Sequence, residues 1–158
     1  MKNYYSGIVA IKSQIDSSSR VIFITEMGIK IFDYEIRNPL KSKDFYKVNY
    51  MMEPLSRKII QKTLANDFGL LLQNANAGNV KYYKDKKEQN IGKVKHHGLR
   101  YFYFFDKESK NYNRILIKSA LFKKAEVAFS GKEDFPPDSV KITHYGIKLK
   151  YAFRKLKQ

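Results

Sequence analysis

The chain contains no cysteine and no tryptophan among its 158 residues. The lack of cysteine excludes disulfide bonds, thiol nucleophiles and cysteine metal sites. No apolar run approaches the roughly 18 residues that a membrane-spanning helix needs. Acidic residues are scarce as well, because 15 Asp plus Glu stand against 31 Lys plus Arg, for a net charge of +16. This balance favours acidic partners such as nucleic acid, an anionic membrane surface or an anionic lipid headgroup.

Motifs that carry catalysis are also missing. There is no Gly-x-Ser-x-Gly elbow, no phosphate-binding loop and no dinucleotide fingerprint. The carboxylates are scattered along the chain, so they suggest no acid and base pair. The adjacent His96 and His97 would point to opposite faces of a strand, and His144 stands alone. We therefore predict a protein that is not an enzyme and has no metal site and no cofactor.

Aromatic and β-branched residues are plentiful. The chain has 12 Tyr and 11 Phe, which together with Ile and Val favour pleated sheet over helix. The C-terminal segment alternates apolar and mostly basic residues, which predicts a half-buried strand. The apolar positions of this segment are Ile147, Leu149, Tyr151 and Phe153.

Comparable patterns predict a mainly β protein. One helix is predicted over 54–73, because proline suits a first helical turn and Ile60, Leu64 and Phe68 recur at helical spacing. We predict a curved antiparallel sheet of about nine to eleven strands. It would form an incompletely closed barrel in a single domain, 1–158, with the helix covering its concave face. The predicted strands are 6–16, 20–26, 29–37, 44–52, 80–84, 99–105, 112–119 and 124–130, followed by two alternating segments, 140–145 and 147–154, with a turn or a bulge at 145–146.

Two segments carry a resemblance to a known family. The first is Tyr34-Glu-Ile-Arg-Asn-Pro-Leu40, which ends a meander of strands. The second, 135–153, combines a strand that begins after two prolines, a turn with glycine and a final strand that alternates with lysine. In this order the elements resemble the lipoprotein-localisation carriers of the bacterial periplasm and outer membrane, the LolA/LolB-like fold. The resemblance implies an incomplete antiparallel barrel that holds lipoprotein acyl chains in an apolar concavity.

The resemblance also implies a function and a location. We expect non-enzymatic binding of a lipid or lipoprotein acyl chain, in lipoprotein localisation at the outer membrane. The protein would be periplasmic, or at the periplasmic face of the outer membrane, if an export signal has been removed, and cytoplasmic otherwise. In the outer-membrane members a loop presents an apolar side chain, and the corresponding position here is Leu40. The neighbouring Lys41 and Lys43 are candidates for contact with an anionic membrane surface or a partner.

The predicted ligand-binding residues line the concavity from two sides. The lid residues are Ile60, Leu64 and Phe68. The wall residues are Phe102, Phe104, Ile147, Leu149, Tyr151 and Phe153. Each buried methylene contributes about 0.8 kcal/mol, so roughly a dozen of them would hold an acyl chain without a polar anchor.

Two alternatives stay open. A basic sheet with aromatic residues is typical of domains that bind single-stranded nucleic acid, in which bases stack on Tyr or Phe while lysines follow the phosphates. We do not expect nucleic acid, because the most aromatic strand, 101–105, is apolar on both faces and no ribonucleoprotein consensus is present. The other alternative is a protein-interaction module without a ligand cavity, which an exposed apolar patch would indicate.

Overall fold

The computed structural model describes residues 5–37, 44–72, 80–84, 89–96, 98–106, 112–131 and 137–156. In this part of the chain there are eleven β-strands, one 3-10 turn and one α-helix, which confirms the predicted mainly β class with antiparallel strands. The chain divides into two compact units, 1–77 and 78–158. Assignment of the whole chain to a single half-barrel domain stays a prediction.

The first unit holds a four-stranded antiparallel meander in the order β1-β2-β3-β4. A tight turn joins β2 to β3 at Gly28, whose φ of 81° is a conformation that glycine adopts without strain. β3 lies inside the sheet and is buried on both faces, with Ile31 and Phe32 both below one tenth exposed. The four strands are β1 (Gly7–Ser13), β2 (Ser19–Thr25), β3 (Lys30–Ile36) and β4 (Tyr46–Met51).

Helix α1 (Lys58–Leu72) packs on β3 of this sheet. The ring of Phe68 lies 5.6 Å from the ring of Phe32, and the hydroxyl of Tyr34 donates a hydrogen bond of 3.0 Å to the carbonyl oxygen of Gln61. Aromatic pairs of this kind add about 0.5–1.5 kcal/mol to the free energy gained by burial. The helix is therefore fixed by both apolar and polar contacts.

The second unit is a seven-stranded antiparallel meander in which each strand pairs with its neighbours along the chain. Its strands are β5 (Lys81–Lys84), β6 (Asn90–His96), β7 (Leu99–Phe105), β8 (Tyr112–Lys118), β9 (Lys123–Ser130), β10 (Ser139–His144) and β11 (Lys150–Arg154). At the centre of β6 a Cβ on Gly92 would lie 3.0 Å from Val80 Cγ1 and 3.2 Å from Phe105 Cε2. Glycine therefore suits this position because the neighbouring side chains approach its backbone closely.

The expectation of a single curved sheet is wrong. Eleven strands form, but they belong to separate sheets of four and seven strands. Neither sheet closes into a barrel within the described residues, because β1, β4, β5 and β11 each pair on one side only. The final strand is also shorter than predicted, since Ile147 and Leu149 lie in the connection before β11.

Candidate anion-binding surface on the seven-stranded sheet

The two faces of the seven-stranded sheet differ in chemistry. Residues paired across strands share a face, and successive residues of one strand alternate between faces. One face is mostly apolar, and its buried members are Val94, Ile115, Ile117, Ala125, Val127, Val140 and Ile142. The opposite face, which we call the cationic face, carries in its described strands eleven basic residues and the single acid Glu126. The basic residues are Lys81, Lys93, Lys95, Arg100, Arg114, Lys118, Lys123, Lys124, Lys141, Lys150 and Arg154.

Four of these cations form a row across neighbouring strands. Lys95 on β6 pairs with Arg100 on β7, Arg100 pairs with Lys118 on β8, and Lys118 pairs with Lys123 on β9. We call these four residues the cation row. Like charges directly opposite each other destabilise a sheet. Because the row itself contains no acid, repulsion among its four cations lowers the stability of the folded sheet. Features that lower stability in this way are typical of functional sites.

Cations also lie over two aromatic rings of the cationic face, those of Phe102 and Phe104. The Nζ atoms of Lys93 and Lys118 are 5.7 Å and 5.4 Å from the ring centroid of Phe102. The guanidinium carbon of Arg114 is 4.0 Å from the ring centroid of Phe104. Contacts of this type contribute about 0.5–1 kcal/mol at exposed sites. Because a ring has no net charge, these contacts do not themselves neutralise the cations.

The one acid of the cationic face is engaged by its neighbours. Glu126 accepts a 2.8 Å hydrogen bond from the hydroxyl of Tyr145 and lies 3.8 Å from Arg114. The hydrogen bond to Glu126 raises the pKa of Tyr145, because only the neutral hydroxyl donates it. Glu126 therefore offsets Arg114 and does not pair with any member of the cation row at salt-bridge distance in the described residues.

The turn between β8 and β9, next to the cation row, exposes two large apolar side chains. Leu121 is 84% exposed and Phe122 is 67% exposed. The backbone N–H of Ser119 donates a 2.9 Å hydrogen bond to the carbonyl oxygen of Phe122, which closes the turn. The guanidinium of Arg100 donates to the carbonyl oxygens of Ser119, at 2.9 Å, and Ala120. An ordered turn thus holds two apolar side chains in water.

The predicted lid residues lie in the first unit. Leu64 and Phe68 are 5% and 1% exposed, and Ile60 is partly buried. Phe68 contacts the sheet through Phe32. In this unit these side chains therefore serve as the core between the helix and the four-stranded sheet.

The structure does not bring the predicted wall residues onto one surface. Those in β7, Phe102 and Phe104, lie on the cationic face. Those in β11, Tyr151 and Phe153, lie on the apolar face. The register shows this, because Tyr151 aligns with Ile142 and, through β9 and β8, with Tyr103, the residue next to Phe102. The remaining two, Ile147 and Leu149, are partly buried in the connection between β10 and β11.

The predicted membrane or partner contacts Leu40, Lys41 and Lys43 lie outside the described residues. Sequence reasoning missed the cation row, because its members come from four strands and only the register aligns them. It also missed Leu121 and Phe122. Their signal in the sequence is a pair of apolar residues in a short connection that two lysines follow.

The described residues contain neither a metal-binding cluster nor a membrane-spanning helix. No group of three or more metal-binding side chains is placed to hold an ion in these ranges. No helix that the structure describes is both long and apolar enough to cross a bilayer. Comparison of the chain with protein-family models, with curated proteins and with solved structures finds no match.

Proposed function

We propose that this chain binds an anionic lipid surface without catalysing a reaction, and that lipid phosphates contact the cation row. The observation that supports this most is the register, which aligns four cations on neighbouring strands with no acid among them. A Lys or Arg near an anionic surface contributes about 1 kcal/mol. Four of them acting together favour an anionic over a neutral surface by roughly a thousandfold.

The distribution of charge along the chain supports the same function. Residues 78–158 hold 20 of the 31 basic and 8 of the 15 acidic residues, which is a net charge of +12, against +4 for residues 1–77. At the end of the sheet that carries the row, the described connections Gly98, 119–122 and 145–149 contain no acid. Asp106 and Asp138 flank strands at the opposite end. This difference in charge between the two ends of the sheet would orient the end with the cation row toward a negative surface.

Vesicle co-sedimentation tests the proposal. The protein should pellet with vesicles that contain phosphatidylglycerol and stay in solution with pure phosphatidylcholine. Binding should weaken as salt is raised from about 0.01 M to about 1 M, because the screening length falls from about 30 Å to about 3 Å. Equal binding to both vesicle types, or no binding to either, contradicts the proposal.

A carrier of lipid or lipoprotein acyl chains is the finer form of this proposal. In it, an incompletely closed half-barrel holds the acyl chain against the apolar face of the larger sheet, where Tyr151 and Phe153 lie. Native mass spectrometry of protein purified from cells tests it. A co-purified lipid supports the carrier, and protein that neither retains nor takes up lipid excludes it.

Single-stranded nucleic acid is the second candidate ligand. It is favoured by the position of Phe102 and Phe104 on the same face as eleven basic residues, since stacking rings and nearby cations make up a binding platform for bases. It is disfavoured by the cations that lie over both rings. Fluorescence anisotropy with labelled single-stranded oligonucleotides at low salt decides the matter, because phosphate contacts are strongest there.

A further inference from the structure

We infer that Leu121 and Phe122 enter the lipid layer when the cation row meets an anionic membrane. This inference rests on the proposed function and names the part of the chain that reaches below the headgroups. Its basis is the turn between β8 and β9, which exposes both side chains and lies between two members of the row, Lys118 and Lys123.

Exposure of these side chains has an energetic cost in water. Leu and Phe are among the residues most often buried in proteins, yet Leu121 is 84% exposed and Phe122 is 67% exposed. Transfer of one such side chain to an apolar environment strengthens binding about tenfold to a hundredfold. The two together therefore add an attraction that is independent of charge and resists screening by salt.

The turn is already ordered for insertion. The Ser119 N–H donates to the Phe122 carbonyl oxygen at 2.9 Å, and the Phe122 N–H donates to the Ser119 hydroxyl at 3.3 Å. Arg100 fixes the same turn through the carbonyl oxygens of Ser119 and Ala120. Because these contacts exist in the protein alone, insertion needs little further ordering of the backbone.

The residues around the turn match the depth profile of a membrane interface. Lys118, Lys123 and Lys124 flank the two apolar residues in sequence. Tyr145 is 51% exposed, its N–H donates to the carbonyl oxygen of Lys124 at 2.9 Å, and Lys123 Nζ lies 5.9 Å from its ring centroid. Tyrosine and lysine are the side chains that settle at headgroup level, while apolar side chains reach about 5–10 Å into the acyl boundary. The partner that fits this surface is an anionic bilayer.

The chain offers a matched control in the first unit. Ile15 is 106% exposed in the turn between β1 and β2. Its neighbours in sequence are Gln14 and Asp16, so no cation adjoins it. A substitution at Ile15 thus removes an apolar side chain that is even more exposed, from a turn that lies outside the cation row.

Serine substitutions separate this inference from the proposed function. Leu121→Ser/Phe122→Ser should weaken binding to phosphatidylglycerol vesicles by about 100-fold or more, and the residual binding should become fully sensitive to salt. Ile15→Ser should bind like the wild type. If the wild type does not bind, the proposed function fails. If the wild type binds and the double variant binds as tightly, only the insertion of this turn is overturned.

A fluorescence measurement tests insertion directly. Because the chain has no tryptophan, Phe122→Trp and Ile15→Trp each carry a single reporter. With anionic vesicles the emission of Phe122→Trp should shift to the blue and be quenched by lipids brominated on their acyl chains, and that of Ile15→Trp should not change. Sedimentation of Phe122→Trp with the vesicles without a blue shift contradicts insertion.

Discussion

Arg20 and Asp33 form a bidentate ion pair on neighbouring strands, with Arg20 Nη2 2.7 Å and Nε 3.0 Å from the two carboxylate oxygens. Asp33 is 1% exposed, whereas Arg20 is exposed to solvent. Lys30 and Asn49 complete the contacts of the carboxylate at 3.4 Å and 3.5 Å. The hydrogen bonds from Arg20 hold the pKa of Asp33 below its ordinary value. This pairing allows a carboxylate to be buried in β3 between Phe32 and Tyr34.

We expect Asp33→Asn to lower the free energy of unfolding by about 1–3 kcal/mol at neutral pH, because a buried charge-assisted pair is lost. The pKa of Asp33 is lowered in the folded state, so its stabilisation is present above about pH 4 and is lost as pH falls through the folded pKa. As pH is lowered, the free energy of unfolding measured in urea should therefore decrease less for Asp33→Asn than for the wild type. Glu26→Gln, at an exposed position, should change neither quantity. Equal stability of Asp33→Asn and the wild type at neutral pH would contradict this role.

Removal of the ring that fixes the helix should weaken the first unit. Phe68→Ala should lower its free energy of unfolding by about 3–5 kcal/mol, because Phe68 is 1% exposed and truncation leaves a cavity against Phe32. Ile59→Ala is the control on the same helix, since Ile59 is 58% exposed. Denaturant unfolding followed by circular dichroism compares the two. If Phe68→Ala and Ile59→Ala lowered the free energy of unfolding by similar amounts, burial of the inward face of the helix would not be what stabilises this unit.

Alkaline pH should destabilise the second unit through a buried tyrosine. Burial raises the pKa of Tyr103 to about 12, and the ring of Tyr112, whose pKa is also raised, lies 5.4 Å away. In the unfolded chain tyrosine ionises near pH 10, so the contribution of Tyr103 is complete below about pH 10 and is lost as pH rises through about 12. Tyr103→Phe should lose less stability over this interval than the wild type in urea unfolding. If the free energy of unfolding fell equally with pH in Tyr103→Phe and in the wild type, the loss of stability at alkaline pH would come from groups other than Tyr103.

The strands were predictable where apolar residues alternate, as in β10 and β11, because alternation is itself the consequence of a half-buried sheet. β6 was missed, since its clearest apolar residues, Ile91 and Val94, lie on opposite faces and Gly92 interrupts them. The helix was predicted to start at Pro54, but it starts at Lys58. Pro54 suits the first turn of any helix, and here it lies in the 3-10 turn Glu53–Leu55 that precedes α1.

The candidate site was far less predictable than the strands. A row across four strands depends on three registers at once, and a slip of one residue moves a side chain to the other face. In this sheet the register shifts between Ile117 and Lys118, beside the row itself. No local pattern in the sequence specifies such a shift, so the alignment of Lys118 with Lys123 required the structure.

Two triple variants of equal charge test the binding surface most directly. Lys95→Gln/Lys118→Gln/Lys123→Gln removes three lysines of the cation row and leaves Arg100 to hold its turn. The control removes three exposed lysines of the first unit: Lys12→Gln/Lys58→Gln/Lys62→Gln. Both variants lower the net charge of +16 by the same amount, so any difference between them reports position and not total charge.

The measurement is the dissociation constant of each variant for phosphatidylglycerol vesicles at one fixed salt concentration. We expect the row variant to lose about 100-fold in affinity, since each lysine contributes about 1 kcal/mol at the surface, and the control to stay within about threefold of the wild type. Equal losses in the two variants would contradict a binding site at the cation row.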